Sequence, residues 1–428
     1  MNETRIISAR HVVTIASVPI EDGAIAIRND RIIDVGPQKS VIDKYAKAPI
    51  LDLSEHILMP ALVNAHTHIA LTNAANFVSD KEFLDWLLAL MPWMMKQSRK
   101  DFFKSSLNGL NEMIKSGITA IGDSFFILEP LRAALKHDFR CVFFFEVFGI
   151  SAFLQSIAIL KYKNALKSGL KLQSTKTRLG ISPHAPYTVT PQVLKFASKF
   201  SSINKMRISM HISETEGEIE FLHSLKGRFR RQFEPSGKKI PITNLSLLEY
   251  IDSFGLVNDR FLAIHGVHLT DSEFALLAKR KGHLVSCPSS NKNLKTGWLD
   301  IERPFKAGVN TCIGSDSPAS SDGIDLFNEL RLALKIDTLS EIKLPARDAL
   351  SMITINPSRA LGFEKEIGTI EVGKSADIIA LKPPHGIDNW SDDIENLIIR
   401  KSKADDVDLT ISSGIVKHSR IDTIPPHQ

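Results

Sequence analysis

Cysteine is nearly absent from this chain of 428 residues. The three present, Cys141, Cys287 and Cys312, each lie in an apolar run and form no C-x-x-C pair, so they read as buried free thiols and not as a disulfide framework. A reducing cytoplasm is the expected location. No apolar stretch reaches the length of a membrane span; the richest, Cys141 to Ile150, is interrupted by Glu146. Met1 to Arg5 lacks the basic-then-apolar order of a secretory leader. Charge is not concentrated either: the net +5 is mild for this length and the basic residues are scattered, which leaves no footprint for nucleic acid. Repeats and low-complexity tracts are missing. What remains, 43% hydrophobic and 24% charged residues, is the makeup of a globular protein able to bury a large core. The length suits an α/β barrel with a smaller appendage.

From Met1 to about His56, short alternating segments such as Arg5 to Ala9 and Ala24 to Ile27 are separated by turn residues, the texture of a small antiparallel β unit. Beyond it, buried strand candidates alternate with amphipathic helical stretches, the sign of a parallel α/β architecture. The strand candidates are Leu58 to His66, Ile118 to Asp123, Cys141 to Phe148, Arg178 to Ser182, Met206 to His211, Phe261 to His265, His283 to Cys287 and Thr311 to Asp316. Eight such units close naturally as a (β/α)8 barrel of the TIM type. Helices are expected over Asp101 to Ser116, over Thr270 to Lys281 behind a capping box, over Asp325 to Leu334 and over Pro345 to Leu361. Gly368 to Leu381 returns to turns and strands, and pairing this tail with the N-terminal strands avoids open sheet edges. The expectation is therefore an α/β protein: a barrel over residues 57–363 and a small composite β-sandwich domain from both chain ends, residues 1–56 and 364–428. Ile424 to Gln428 should fray.

His66 and His68 stand two apart at the end of a buried strand, so both imidazoles face the same way and suit a transition metal. His-x-His alone is a weak signal. It gains weight because five of the eight strand candidates end in a residue that binds metal or moves protons, where barrel sites lie. These ends carry His66 and His68, His184, His211 with Glu214 beyond it, His265, and Asp316. His211 reads as a third nitrogen ligand or as a core histidine bonded to backbone; Asp316 reads as a carboxylate ligand or as a helix N-cap. Three histidines, one carboxylate and an open position make a catalytic metal site. Glu214, beside the metal, can carry protons, whereas Glu216, Glu218 and Glu220 read as a solvated face. His265 is expected to polarise the water, and His268 and His283 to be structural. His184, between Pro183 and Pro186, serves either to bind substrate or to stiffen a loop. The fourth strand brings no lysine to this end, which argues against a dinuclear site bridged by a modified lysine.

Together, Pro60 to His68, Pro183 to Tyr187, His211 to Thr215, Cys287 to Asn291, Gly314 to Ser320 and the closing Gly373 to Asp377 resemble the amidohydrolase superfamily. Within it, they resemble the metal-dependent deaminase/chlorohydrolase branch, which includes S-adenosylhomocysteine, methylthioadenosine and aminofutalosine deaminases. The resemblance implies one divalent metal ion, zinc in the first place with iron(II) as the alternative, held by His66, His68, His211 and Asp316. It implies Glu214 as proton shuttle, His265 as water-orienting group and His184 as a substrate-binding group. The implied reaction is addition of a metal-activated hydroxide to the ring carbon bearing the amine, protonation by Glu214 and loss of ammonia.

The implied substrate is an adenine-containing nucleoside of the aminofutalosine, S-adenosylhomocysteine or methylthioadenosine type. Guanine, an aminotriazine or a chlorotriazine is the alternative. A metal-free, inactive scaffold is the reading of another class, and the intact His66, His68, His211, Glu214 and Asp316 argue against it. Two departures stand out. Ala61 replaces the usual glycine, and Phe83-Leu84-Asp85-Trp86-Leu87, like the run to Gly149 with Glu146, is more similar to the aminofutalosine deaminase pattern. Trp86 with Trp93 is read as an aromatic cover over the purine or as part of a packed helix. The basic stretch Lys226 to Arg231 is read as a solvated loop or a lure for an anionic tail. Partners should be small molecules, with neither nucleic acid nor membrane; a homo-oligomer is expected by analogy alone.

Overall fold

A computed structural model describes residues 4–75, 77, 81–149, 155–224, 226–233, 243–335, 343–383 and 393–421. The expected fraying of Ile424 to Gln428 thus lies outside the described residues. Strands β1 (Thr4–Val12), β2 (Ile20–Arg28), β3 (Arg31–Pro37) and β4 (Ile50–Pro60) come first. Then follow β5 (Leu62–Thr67), β6 (Ile118–Phe125), β7 (Arg140–Val147), β8 (Thr177–Pro183), β9 (Ile208–Ile212), β10 (Phe261–His265), β11 (His283–Ser286) and β12 (Asn310–Ile313). β13 (Ile378–Leu381), β14 (Val407–Ser412) and β15 (Ile415–Ser419) close the chain. Two compact units result: Met1–Asn64 with Asn111–Ala120 and Ile324–Gln428, and Ala65–Leu110 with Ile121–Gly323.

The first unit holds a seven-stranded sheet in the order β15-β14-β13-β4-β1-β2-β3, which joins strands from both chain ends. Its core runs through Ile7, Ile25, Ile27, Leu53, Leu58, Ile378, Leu409 and Ile411, while the intervening Ile6, Ala24 and Ala26 form a second buried cluster with Val41. The sheet is mixed and not wholly antiparallel as the alternating segments suggest, because β1 pairs β2 antiparallel but β4 parallel. The apolar run expected as one barrel strand, Leu58 to His66, is divided. Leu58 to Pro60 pair with β13 in this sheet, and a new strand begins at Leu62. An unbroken apolar run carries no mark of a change of sheet. Pro345 to Leu361 likewise splits into helices Ala346–Ser351 and Ile355–Leu361. Pro357 has no N–H to give to the carbonyl of Ile353, which instead accepts from the N–H of Val63 at 2.9 Å.

The eight-stranded sheet runs β5 to β12 in sequence order, with parallel neighbours and helices between them. Every residue of β6, β7 and β9 to β11 is buried, as expected of parallel strands covered on both faces. A bridge between Thr67 and Asp316 closes the ring, with the Asp316 N–H donating to the His66 carbonyl at 3.1 Å. Gly314 permits that approach: a Cβ there would lie 2.9 Å from the same carbonyl oxygen. This is a (β/α)8 barrel. Among its helices, Asp271–Lys279 carries the expected capping box between Thr270 and Glu273. Among the described residues, no helix is long and apolar enough to cross a membrane.

Candidate active site

The C-terminal ends of β5, β8, β9, β10 and the turn after β12 bring the expected residues to one mouth. Nitrogens of His66, His68 and His211 lie within 4.8 Å of one another, and His66, His265 and Asp316 form a second such group. Asp316 Oδ1 is 3.4 Å from His66 Nε2 and 3.5 Å from His68 Nε2, and the Nε2 atoms of His66 and His211 are 3.3 Å apart. Backbone carbonyls aim the rings. His68 Nδ1 lies 2.7 Å from the Ser124 carbonyl oxygen and His211 Nδ1 lies 2.9 Å from that of His184. A carbonyl only accepts, so both Nδ1 atoms carry the proton and both Nε2 atoms offer a lone pair to the centre. Asp316 Oδ2 accepts from the hydroxyls of Ser290 at 2.6 Å and Ser320 at 3.0 Å, which leaves Oδ1 facing the imidazoles.

The electrostatics agree with this donor set. Burial pulls His66 down to about 4 and His211 well below the usual imidazole range, so both are neutral at pH 7. Burial works against the ionised form of Asp316, but the hydrogen bond with His66 and the attraction of His265, His66 and His68 outweigh it, and the carboxyl stays well below its ordinary value. Neutral imidazoles and an ionised carboxylate converging on one point fit a divalent cation. Asp316 caps no helix; the next one, Leu326–Ala333, is capped by Asp325. Ser213, His265 and Asp316 all adopt left-handed backbone, with φ of 52°, 69° and 55°. Such residues cluster where a strand end must turn a side chain into a site.

Glu214 is 3% exposed, and its Oε1 lies 3.6 Å from His265 Nε2. Burial, then the charges of Asp316 and Glu218, raise its carboxyl well above the usual range. His265 Nδ1 lies 2.9 Å from Asn291 Oδ1, to which it donates. Glu218 departs from the expected solvated face: it is buried and accepts the Glu214 N–H at 2.9 Å. His268 and His283 are structural as expected, bonded to the carbonyls of Thr296 and Asp259.

A cavity of about 900 Å³ opens over this cluster and is lined by His68, His184, His211, Glu214, His265 and Asp316 at one end. Leu87, Leu90, Met91, Met94, Phe126 and Phe148 line the rest. His184 reaches the cavity with Nδ1 held 3.0 Å from Thr188 Oγ1. Trp86 lines it too, its indole N–H donating to the Ala319 carbonyl at 3.0 Å, so only its ring faces a ligand. Trp93 is not in the lining and packs 6.4 Å from Phe77. The basic stretch is not a loop throughout: from Arg228 it is helical, and helix Arg228–Phe233 pairs Arg228 with Asp85 at 2.6 Å, buries Arg230 over the Phe221 ring and stacks Phe229 on Phe83. Sequence reasoning missed Ser290 and Asn291, whose contacts lie 26 positions away and are brought together only by the fold, and Ser320 and Glu218, whose contacts lie four residues away; the spacing Thr215-x-x-Glu218, with Thr215 capping the helix, is the signal that could have found Glu218.

A model of the amidohydrolase family matches residues 57–416. The chain belongs to this family. Among curated members, a 5-methylthioadenosine/S-adenosylhomocysteine deaminase of Moorella thermoacetica is 31% identical over 425 residues, 96% of this chain and 92% of that protein. A 5′-deoxyadenosine deaminase of Methanosphaera stadtmanae is 30% identical over 424 residues, 97% and 93% of the two chains. Among solved amidohydrolase-like structures, an adenosine deaminase from Xanthomonas campestris with bound zinc superposes with a TM-score of 0.82 at 25% identity, over 98% of this chain and 94% of that one.

Proposed function

We propose that this amidohydrolase is a metal-dependent hydrolytic deaminase that releases ammonia from an adenine-containing nucleoside of the methylthioadenosine, S-adenosylhomocysteine or aminofutalosine type. The observation that carries the reading is the coexistence, at one end of a nucleoside-sized cavity, of a three-histidine and one-carboxylate donor set with a buried glutamic acid beside it. His66, His68 and His211 through Nε2 and Asp316 through Oδ1 would hold a single ion, with zinc the proposed metal. Such an ion, when bound, supplies Lewis acidity that makes water a nucleophile near neutral pH.

The chain's own groups do the rest. Glu214, whose carboxyl burial raises well above the usual range, gives a proton to the ring nitrogen next to the carbon under attack, recovers one from the attacking water and passes it to the departing amine. His265, fixed by Asn291 and with its Nε2 3.6 Å from Glu214 Oε1, would orient the water beside Glu214. His184 and the Trp86 ring hold the base, and the wider part of the cavity, largely apolar but also lined by Gln97, Arg99 and Gln232, accepts the substituent on the ribose. Buried free thiols at Cys141, Cys287 and Cys312 accord with a cytoplasmic enzyme.

Ammonia release from a panel of adenosine, 5′-deoxyadenosine, methylthioadenosine, S-adenosylhomocysteine and aminofutalosine, run beside guanine and an aminotriazine, tests the reading. Turnover of at least one adenine nucleoside well above guanine and triazine is expected. Turnover confined to guanine or the triazine overturns it.

A further inference from the structure

One buried acidic group in the cavity has no part in the scheme above. Glu146 ends β7, is 4% exposed and lines the cavity. Its Oε1 is buried and makes no hydrogen bond. Asp316 is engaged by two serines, and Glu214 faces His265; Glu218 gives one oxygen to the Glu214 N–H and, although its other oxygen is also buried without a partner, it does not line the cavity. Among the described lining residues, only Tyr187 Oη shares the condition of Glu146, and an unpartnered phenol costs far less to bury than an unpartnered carboxylate. A carboxylate kept in such a place implies a donor that arrives with the ligand.

Its position narrows the donor. One Glu146 oxygen lies within 4.8 Å of ligand nitrogens of His184 and His211, so it sits beside the cluster and not at the apolar end. It is not the seat of a second cation, because His211 has Nδ1 committed to the His184 carbonyl and Nε2 to the His66 side. We infer that Glu146 is a specificity-determining residue whose carboxylate accepts a hydrogen bond from an N–H or O–H group of the bound nucleoside. The inference rests on the deaminase reading for the identity of the ligand. Two donors lie within reach of a group beside the reacting ring: the exocyclic amine and a ribose hydroxyl. Both are uncharged.

The test is a cycle between residue and substrate. kcat/KM is measured for the unaltered protein, Glu146→Leu and Glu146→Gln on the best adenine nucleoside, its 2′-deoxy and 3′-deoxy forms, and the 6-chloropurine ribonucleoside, which lacks the amine. Glu146→Leu should lose about 10- to 100-fold on the full nucleoside, the scale of one hydrogen bond to a charged group, and mostly in KM. Glu146→Gln, which keeps one acceptor oxygen, should recover part of the loss. Deleting the true donor should cost the unaltered protein a similar factor and cancel the effect of Glu146→Leu; which deletion cancels it names the source. Both variants should keep stoichiometric metal and melt no lower than the unaltered protein, since no internal partner is lost. A Glu146→Leu loss that persists undiminished on every donor-deleted substrate, activity within threefold of the unaltered protein throughout, or loss of metal overturns the inference while leaving the deaminase reading intact. Failure of the unaltered protein on every adenine nucleoside overturns that reading, and the inference with it.

Discussion

Ser290 and Ser320 are the most direct way to weaken the metal centre without touching a ligand. Their hydroxyls donate to Asp316 Oδ2 at 2.6 and 3.0 Å, both side chains are fully buried, and no other side chain among the described residues is recorded bonding that oxygen. A hydrogen bond to a charged group is worth about 1.5–3 kcal/mol, and loss of a group that orients a metal ligand typically costs about 10- to 100-fold in affinity. Ser290→Ala, which removes the shorter bond, should raise the metal dissociation constant by roughly 30- to 100-fold, and Ser320→Ala by roughly tenfold. The double variant should fall short of the product, because once one hydroxyl is gone the carboxylate is already freer to turn and the second has less to hold. Chelator competition followed by elemental analysis reads the affinity. Thermal melting at fixed free metal gives a second reading, since a 100-fold weaker ligand forfeits about 2.7 kcal/mol of linked stability at saturation. Metal affinity within twofold of the unaltered protein for Ser290→Ala, with a lowered melting temperature of the metal-free form, would show the serines to be packing groups and refute the reasoning.

Glu214→Gln should retain stoichiometric metal and lose about 10²- to 10⁴-fold in kcat, as removal of a general acid and base does; ammonia release within tenfold of the unaltered protein removes the shuttle assignment. His211→Ala should lose metal under conditions that load the unaltered protein, and full occupancy by elemental analysis counts against its place in the donor set. Glu218 gives a pH signature. Burial pushes its carboxyl up to about 8 from an ordinary 4.5, so on raising the pH through this window the unfolded chain surrenders its proton first and the folded state loses stability. Glu218→Gln should flatten that decline in metal-free protein and melt higher at pH 8; an unchanged melting profile between pH 4.5 and 8 contradicts the assignment.

Much of this architecture is legible in the sequence because barrel strands and metal ligands leave local signals. An apolar run ending in His-x-His, or in Ile-Gly-Ser-Asp, states both a buried strand and what its end presents. The partners that hold those ligands leave none. Ser290 is an ordinary serine in Pro-Ser-Ser-Asn until β11 is laid beside β12, and the carbonyls of Ser124 and His184 aim imidazoles through atoms that every residue possesses. Glu218 is masked for a different reason: its neighbours Glu216 and Glu220 share the acidic pattern, and only the Thr215-x-x-Glu218 spacing at the start of helix Glu216–His223 marks it as the one that folds back on the Glu214 N–H. The division at Ala61 is hidden because both halves of the run are equally apolar.

The seam of the barrel has a further meaning. The last strand meets the first through Asp316 and His66, which are also members of the donor set, so a captured cation works as a rivet across the joint. Stripping it should loosen the staves there before anywhere else. Amide exchange at Thr67 and Asp316 would then quicken in chelator, while the tightly laddered run of β7 against β8 keeps its protection.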